Sequence, residues 1–248
     1  MQMEKENAEK KNIRKAKKIA VMSGKGGVGK TTIAVNIAVM LAKKGYRVGL
    51  LDADIDCPNV PNSMNIEDKI EMTESGLFAA PEKYGVRIAS MALFEQEGPT
   101  LWRGPLIHKA IMQLIEKTDW GELDYLIIDM PPGTSDASLT IMQFVGIDAA
   151  VIVTTSQELS MMDATKSAKM AMQFHLPTGI IENMSGEVFG SGGGEAIAEE
   201  LSLPFLGRVE LSKSIRECCD SGVPAVVKGI STESFDLITR NIERKLFG

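Results

Sequence analysis

The run Gly24-Lys25-Gly26-Gly27-Val28-Gly29-Lys30-Thr31 has the spacing GxxxxGK(S/T), and residues of these types in this order suit the holding of a polyphosphate. Glycines let the backbone wrap closely around an anion with its N–H groups turned inward. A helix expected to begin at Lys30 adds the positive end of its dipole. Lys30 is placed to reach the β- and γ-phosphates of a nucleoside triphosphate, and the Thr31 hydroxyl to ligate Mg²⁺. Thr32, the next residue, completes the expected nucleotide-binding set. Lys25 is not required by the spacing. A long cation directly after the first glycine can reach beyond its own nucleotide.

Carboxylates follow in the order that hydrolysis needs. Leu51-Asp52-Ala53-Asp54 closes a predicted strand, and open α/β sheets present ligand groups at the carboxyl ends of their strands. Asp52 and Asp54, two residues apart, can serve Mg²⁺ and a water respectively, whereas Asp56 reads as a loop residue. Leu126-Ile127-Ile128-Asp129 ends another apolar strand in a carboxylate, the Walker-B arrangement, so Asp129 joins Thr31 and Asp52 as a metal-site candidate. The stiff stretch Met130-Pro131-Pro132-Gly133-Thr134 behind it is suited to registering a γ-phosphate through a backbone N–H. Asn183, after Ile180-Ile181-Glu182, offers an amide donor and an acceptor. That pair suits the edge of adenine, although an asparagine there can also simply turn or cap the chain.

The elements that must position these groups alternate. Short β-branched runs are expected as strands at Lys18–Met22, Arg47–Asp52, Arg87–Ala92, Asp124–Asp129, Ala149–Thr154, Thr178–Glu182 and Phe205–Arg208. Helices are expected at Lys30–Lys44, Pro105–Lys117, Ser138–Val145, Ser160–Phe174, Gly194–Leu201 and Thr232–Leu246. This pattern predicts an α/β fold, a mostly parallel sheet of about seven strands with helices on both faces. Residues 55–85 read as an excursion from the sheet edge. One domain is expected over 18–248, preceded by a basic flexible arm at 1–17.

Composition narrows the function. A chain of 248 residues with net charge −6 argues against a general nucleic-acid binder. The three cysteines, Cys57, Cys218 and Cys219, form no paired framework, which suits a reducing cytoplasm. No apolar run approaches the ~20 residues that a membrane span needs. Met161, Met162, Met170 and Met172 read as core filling rather than a client groove.

The KGGVGKT form resembles the deviant phosphate loop of the superfamily that holds MinD, ParA and the nitrogenase iron protein. Asp52–Pro61 (DADIDCPNVP), Trp102–Pro105, Trp120–Tyr125, Asp129–Asp136 (DMPPGTSD) and Glu182–Ser185 resemble the Mrp/ApbC family in particular, over residues 18 to 224. That likeness implies a cytosolic ATPase active as a homodimer with ATP and Mg²⁺ between the subunits. It implies that Lys25 acts in trans on the partner's nucleotide, that Lys30 holds phosphate, and that Asp54 orients the attacking water. Asp52 then lies near the metal, Asp129 supports it, and Asn183 contacts adenine.

The same likeness implies work in iron–sulfur cluster assembly or transfer, with one departure. A CPxC motif is expected after Ser185, where this chain runs directly into Gly186-Glu187-Val188-Phe189-Gly190. Four thiolates are the usual complement of a cluster. A cysteine-bearing paralogue or an iron–sulfur client protein is therefore expected as a partner. The rival expectation is a positioning switch of the MinD/ParA kind, with no cluster. Its discriminator is Phe235, Ile238, Ile242, Leu246 and Phe247, which would form an interfacial face unless they pack against the domain.

Overall fold

The computed structural model describes residue 13, residues 15–94 and residues 104–248. Strands β1 (Lys17–Ser23), β2 (Val48–Asp52), β5 (Val86–Ala89), β7 (Tyr125–Asp129), β8 (Ala149–Thr154), β9 (Thr178–Ser185) and β10 (Phe205–Glu210) are the seven expected ones. They lie parallel, and β4 (Glu82–Lys83) adds an antiparallel edge, giving the order β10-β9-β8-β1-β7-β2-β5-β4. The excursion at 55–85 also contributes β3 (Phe78–Ala79), which pairs with β6 (Thr118–Asp119) in a separate two-stranded ribbon. The third expected strand stops at Ala89, three residues early. Ser90 there turns its side chain to cap a short 3₁₀ turn at Met91–Leu93.

Alternation along each strand feeds two cores. Ile19, Val21, Leu50, Ile127 and Val151 point to one face, where α1 (Lys30–Lys43) packs. Ala20, Met22, Leu51, Ile128 and Ile152 point to the other. That second face carries α3 (Gly104–Lys117), α4 (Asp136–Phe144), α5 (Glu158–Gln173) and α6 (Gly193–Glu200). The short α2 (Val60–Ser63) and α7 (Lys213–Asp220) were not legible in the sequence. Helix α7 is polar and binds the domain chiefly through Cys218.

Helix α8 (Thr232–Leu246) settles the C-terminal question. Phe235, Ile238 and Ile242 are wholly buried and Leu246 nearly so, in the same core as α1. The apolar face needed for an interfacial helix is spent inside the domain. Among the described residues no helix is long and apolar enough to cross a membrane.

At the other end, Ile13 and Ala16 are buried, so packing reaches back before the boundary expected at 18. Trp102 and Arg103, quoted above for the family likeness, lie outside the described residues. Met170 is buried as expected, but Met162 and Met172 are 54% and 39% exposed and do not fill the core.

Candidate nucleotide site

The carboxyl ends of β1, β7, β2 and β9 bring the predicted residues to one edge of the sheet. β1 sits between β7 and β8, and its last residues run into the glycine loop. Two of the loop glycines are required by geometry. A Cβ on Gly24 would lie 2.1 Å from the Asp163 carbonyl carbon in α5, and one on Gly29 would lie 2.2 Å from Asn183 Nδ2. Gly29 also takes φ +83, a left-handed conformation that L side chains rarely adopt, and so turns the chain into α1. Helix α1 has neither a side-chain cap nor an acidic residue in its first turn. Its opening N–H groups and its dipole are therefore left for an anion.

Lys30 is 8% exposed, and its Nζ lies 2.5 Å from Asp129 Oδ1. The Thr31 hydroxyl donates to Asp129 Oδ2 at 2.6 Å. One buried carboxylate therefore orients both the Lys30 ammonium and the hydroxyl next to it. Asp52 and Asp129 are register partners on neighbouring strands, which sends both side chains to the same side of the sheet.

Asp52 Oδ2 accepts from the Val60 N–H and from Ser90 Oγ, each at 3.1 Å. Its Oδ1 is buried with no hydrogen-bond partner among the described residues. Burial, reinforced by the charge of Asp129, pushes the Asp52 carboxyl up to about 7, although both hydrogen bonds and Lys30 pull the other way. Asp54 is half-buried, accepts from the Cys57 N–H at 3.2 Å, and is also raised, chiefly by burial.

The unpartnered Asp52 oxygen, the Thr31 hydroxyl and the Asp129 carboxylate are hard oxygen donors of the kind Mg²⁺ takes, so these residues fit the ion. The three thiols do not gather at one place in the chain. Cys57 is exposed and Cys218 buried, while Cys219 points its sulfur 3.4 Å from Thr32 Oγ1. Among the described residues no three His, Cys, Asp or Glu gather as a metal site.

Asn183 is buried against the loop, and its Nδ2 donates to the Val28 carbonyl at 2.8 Å. Its Oδ1 has no hydrogen bond among the described residues and is left as an acceptor. Lys25 is half-buried, and no carboxylate among the described residues pairs with its ammonium. Val28, Gly26 and Gly27 complete the loop; Val28 is buried and the two glycines are exposed. In the stretch expected to register a γ-phosphate through a backbone N–H, the Met130 and Gly133 N–H groups donate to the Val21 and Ser23 carbonyls at 3.1 and 2.8 Å.

Ser90, the Val60 N–H, Asp163 and Cys219 were missed from sequence. Ser90, Asp163 and Cys219 meet the site from distant segments and the Val60 N–H from eight residues beyond Asp52, and none has a spacing that announces it.

Residues 14–246 match the family model described as ParA: NUBPL iron-transfer P-loop NTPase. The chain belongs to that family. Similar curated proteins include an iron–sulfur cluster carrier protein of Methanocaldococcus jannaschii, 44% identical over 96% of this chain and 88% of its own length. Another is a mitochondrial iron–sulfur protein required for NADH dehydrogenase, from Arabidopsis thaliana, 40% identical over 92% of this chain and 78% of its own.

Among solved structures, a nucleotide-binding protein of Archaeoglobus fulgidus in complex with ADP superposes with a TM-score of 0.76. It is 33% identical and covers 88% of this chain and 91% of its own. MinD of Pyrococcus horikoshii, complexed with Mg-ADP, superposes at 0.69 with 24% identity over 92% of this chain and 96% of its own, a likeness of fold alone. As a member of a P-loop NTPase family, this chain is a nucleotide-binding protein.

Proposed function

We propose that the protein is a cytoplasmic, Mg·ATP-dependent switch ATPase that works as a dimer in iron–sulfur cluster assembly or transfer. The observation that carries this reading is the buried group of Lys30, Thr31 and Asp129 beside the unpartnered oxygen of Asp52. Lys30 and the opening N–H groups of α1 hold the polyphosphate, and Thr31 with Asp52 and Asp129 holds Mg²⁺. The ion, when bound, would supply neutralisation of charge on the polyphosphate. Asp54, whose carboxyl burial raises, orients the attacking water, and its partial exposure leaves that water a route in. Asn183 Oδ1 accepts from the 6-amino group of adenine, where guanine presents a carbonyl, which favours adenine over guanine.

Lys25 has no intramolecular ion-pair partner among the described residues, which supports a role in trans on the nucleotide of a second copy. The cluster role follows from the named function of the relatives. With three thiols so differently placed, the cluster is cargo met at a dimer seam or carried by a cysteine-bearing partner, not a group resident in one subunit.

Two measurements test this. Mixing Lys25→Ala with Asp54→Asn subunits, each inactive alone, should restore part of the ATP hydrolysis; no recovery at any ratio refutes action in trans. Anaerobic reconstitution with iron and sulfide, repeated on Cys218→Ser/Cys219→Ser, should give no stoichiometric cluster on the isolated chain. A cluster lost in that variant would instead make these thiols its ligands.

A further inference from the structure

Glu182 is a carboxylate with no exposed surface, one residue before Asn183 and unused by the hydrolytic chemistry. Its Oε1 accepts from the Gly192 N–H at 3.2 Å and its Oε2 from the Gly194 N–H at 2.7 Å. Gly193, between them, donates to Ser156 Oγ at 3.2 Å. The opening of α6 is thus capped by side chains reaching in from β9 and from the loop after β8. Gly194 must be glycine for this approach, since a Cβ there would lie 2.8 Å from the Glu182 Cβ.

Outside the carboxylate stands Arg208, its Nε 3.9 Å from Glu182 Oε1 and its other arm 2.7 Å from Glu195. The chain beyond Asn183 is held under strain. Met184 takes φ +56, a left-handed conformation that a non-glycine residue keeps only when its surroundings impose it. The exit of β9 is thereby tied on two sides, to α6 through Glu182 and to the Val28 carbonyl through Asn183.

We propose that Glu182 is a positioning residue for base recognition, its carboxylate clamping Gly192 and Gly194 so that the β9 exit holds the Asn183 amide in register with the base. This rests on the reading of Asn183 as the adenine contact. A carboxylate can accept both N–H groups, whereas a glutamine offers one carbonyl and would turn its own NH₂ against the second donor. One tie then lets go, the β9 exit relaxes, and Asn183 Oδ1 moves off the base. The phosphate loop touches Asn183 at the Val28 carbonyl but is also anchored through Lys30 and Asp129, and so keeps its grip.

The test is calorimetric titration of Mg·ATP, Mg·GTP and Mg·tripolyphosphate into the full chain and its variants. Glu182→Gln should weaken ATP about tenfold, the worth of roughly one well-placed hydrogen bond, and shrink the ATP-over-GTP preference by the same factor. Tripolyphosphate, which has no base, should stay within about twofold. A merely structural role predicts equal loss for ATP and tripolyphosphate, and that result overturns the proposal, as does an unchanged ATP-over-GTP preference.

Asn183→Ala separates the two readings. If it abolishes the preference while Glu182→Gln does not, the clamp is wrong and the adenine contact stands. If neither variant changes it, the adenine contact itself fails. Should Glu182→Gln not fold, Arg208→Gln, at a side chain 39% exposed, removes the outer cation alone. It should lower the preference in the same direction by a smaller factor, and an unchanged preference there overturns the clamp.

Discussion

Replacing Lys30 by methionine removes one charge of a pair that is 8% and 1% exposed and 2.5 Å apart. Truncating one partner of a buried ion pair typically costs about 3–5 kcal/mol, because the other charge stays desolvated and uncompensated. The upper end is expected here. Asp52 faces Asp129 across adjacent strands, and Lys30 is among the charges that temper their repulsion. Adding Asp129→Asn removes the stranded charge yet keeps an oxygen to accept from Thr31. The double variant should then cost only ~1–2 kcal/mol, leaving a coupling of roughly 2 kcal/mol or more.

The assay is urea unfolding of the nucleotide-free protein, followed by circular dichroism at pH 7.5. The pH course is a second check. With Lys30 gone, the Asp52 carboxyl, already raised to about 7, rises further above its unfolded value. Folding then binds a proton there, and the stability this contributes is lost as pH rises through that folded value. The Lys30→Met deficit should therefore be smaller at pH 5 than at pH 8. A single-variant loss under ~1 kcal/mol, or strictly additive losses in the double variant, would refute the claim that this pair is electrostatically coupled in the folded state.

Two further outcomes are expected. Lys18 is 7% exposed, and burial holds its ammonium below the ordinary 10.5, with Asp148 opposing only in part. The unfolded chain therefore binds more protons in that window, so the penalty of burying the charge is full below the folded pKa and fades as pH climbs toward 10.5. Lys18→Met should raise the urea midpoint at pH 7 by an amount that narrows toward pH 10; a gain that widens with pH contradicts this. Ile242→Ala, in the wholly buried face of α8, should cost about 2–5 kcal/mol and leave ATP affinity of the folded protein unchanged. Thermal unfolding with nucleotide titration reads both, and a near-neutral result would mean that α8 is not part of the core.

The candidate site was legible in outline because its residues are consecutive or end an apolar run. The loop Gly24–Thr31 declares its phosphate geometry through glycine spacing, and Asp52 and Asp129 each close a strand whose β-branched residues mark it for burial. Helix α8 was equally legible, since Phe235, Ile238, Ile242 and Leu246 recur at helical spacing. Helix α7 was not: its polar sequence hides a helix that binds the domain chiefly through Cys218, and no local periodicity reports a single anchoring residue.

Sequence by itself therefore determined the phosphate loop, the parallel α/β order and the carboxylates at the strand ends, because steric and hydrophobic rules act over a few neighbouring residues. Only the tertiary structure decided that one carboxylate, Asp129, orders both Lys30 and Thr31 from about a hundred residues away. It also decided that one Asp52 oxygen has no hydrogen-bond partner among the described residues, that Cys219 turns toward Thr32, and that Glu182 ties β9 to α6. These depend on which strand ends meet at one edge of the sheet, and that is fixed by closing two cores around it at once.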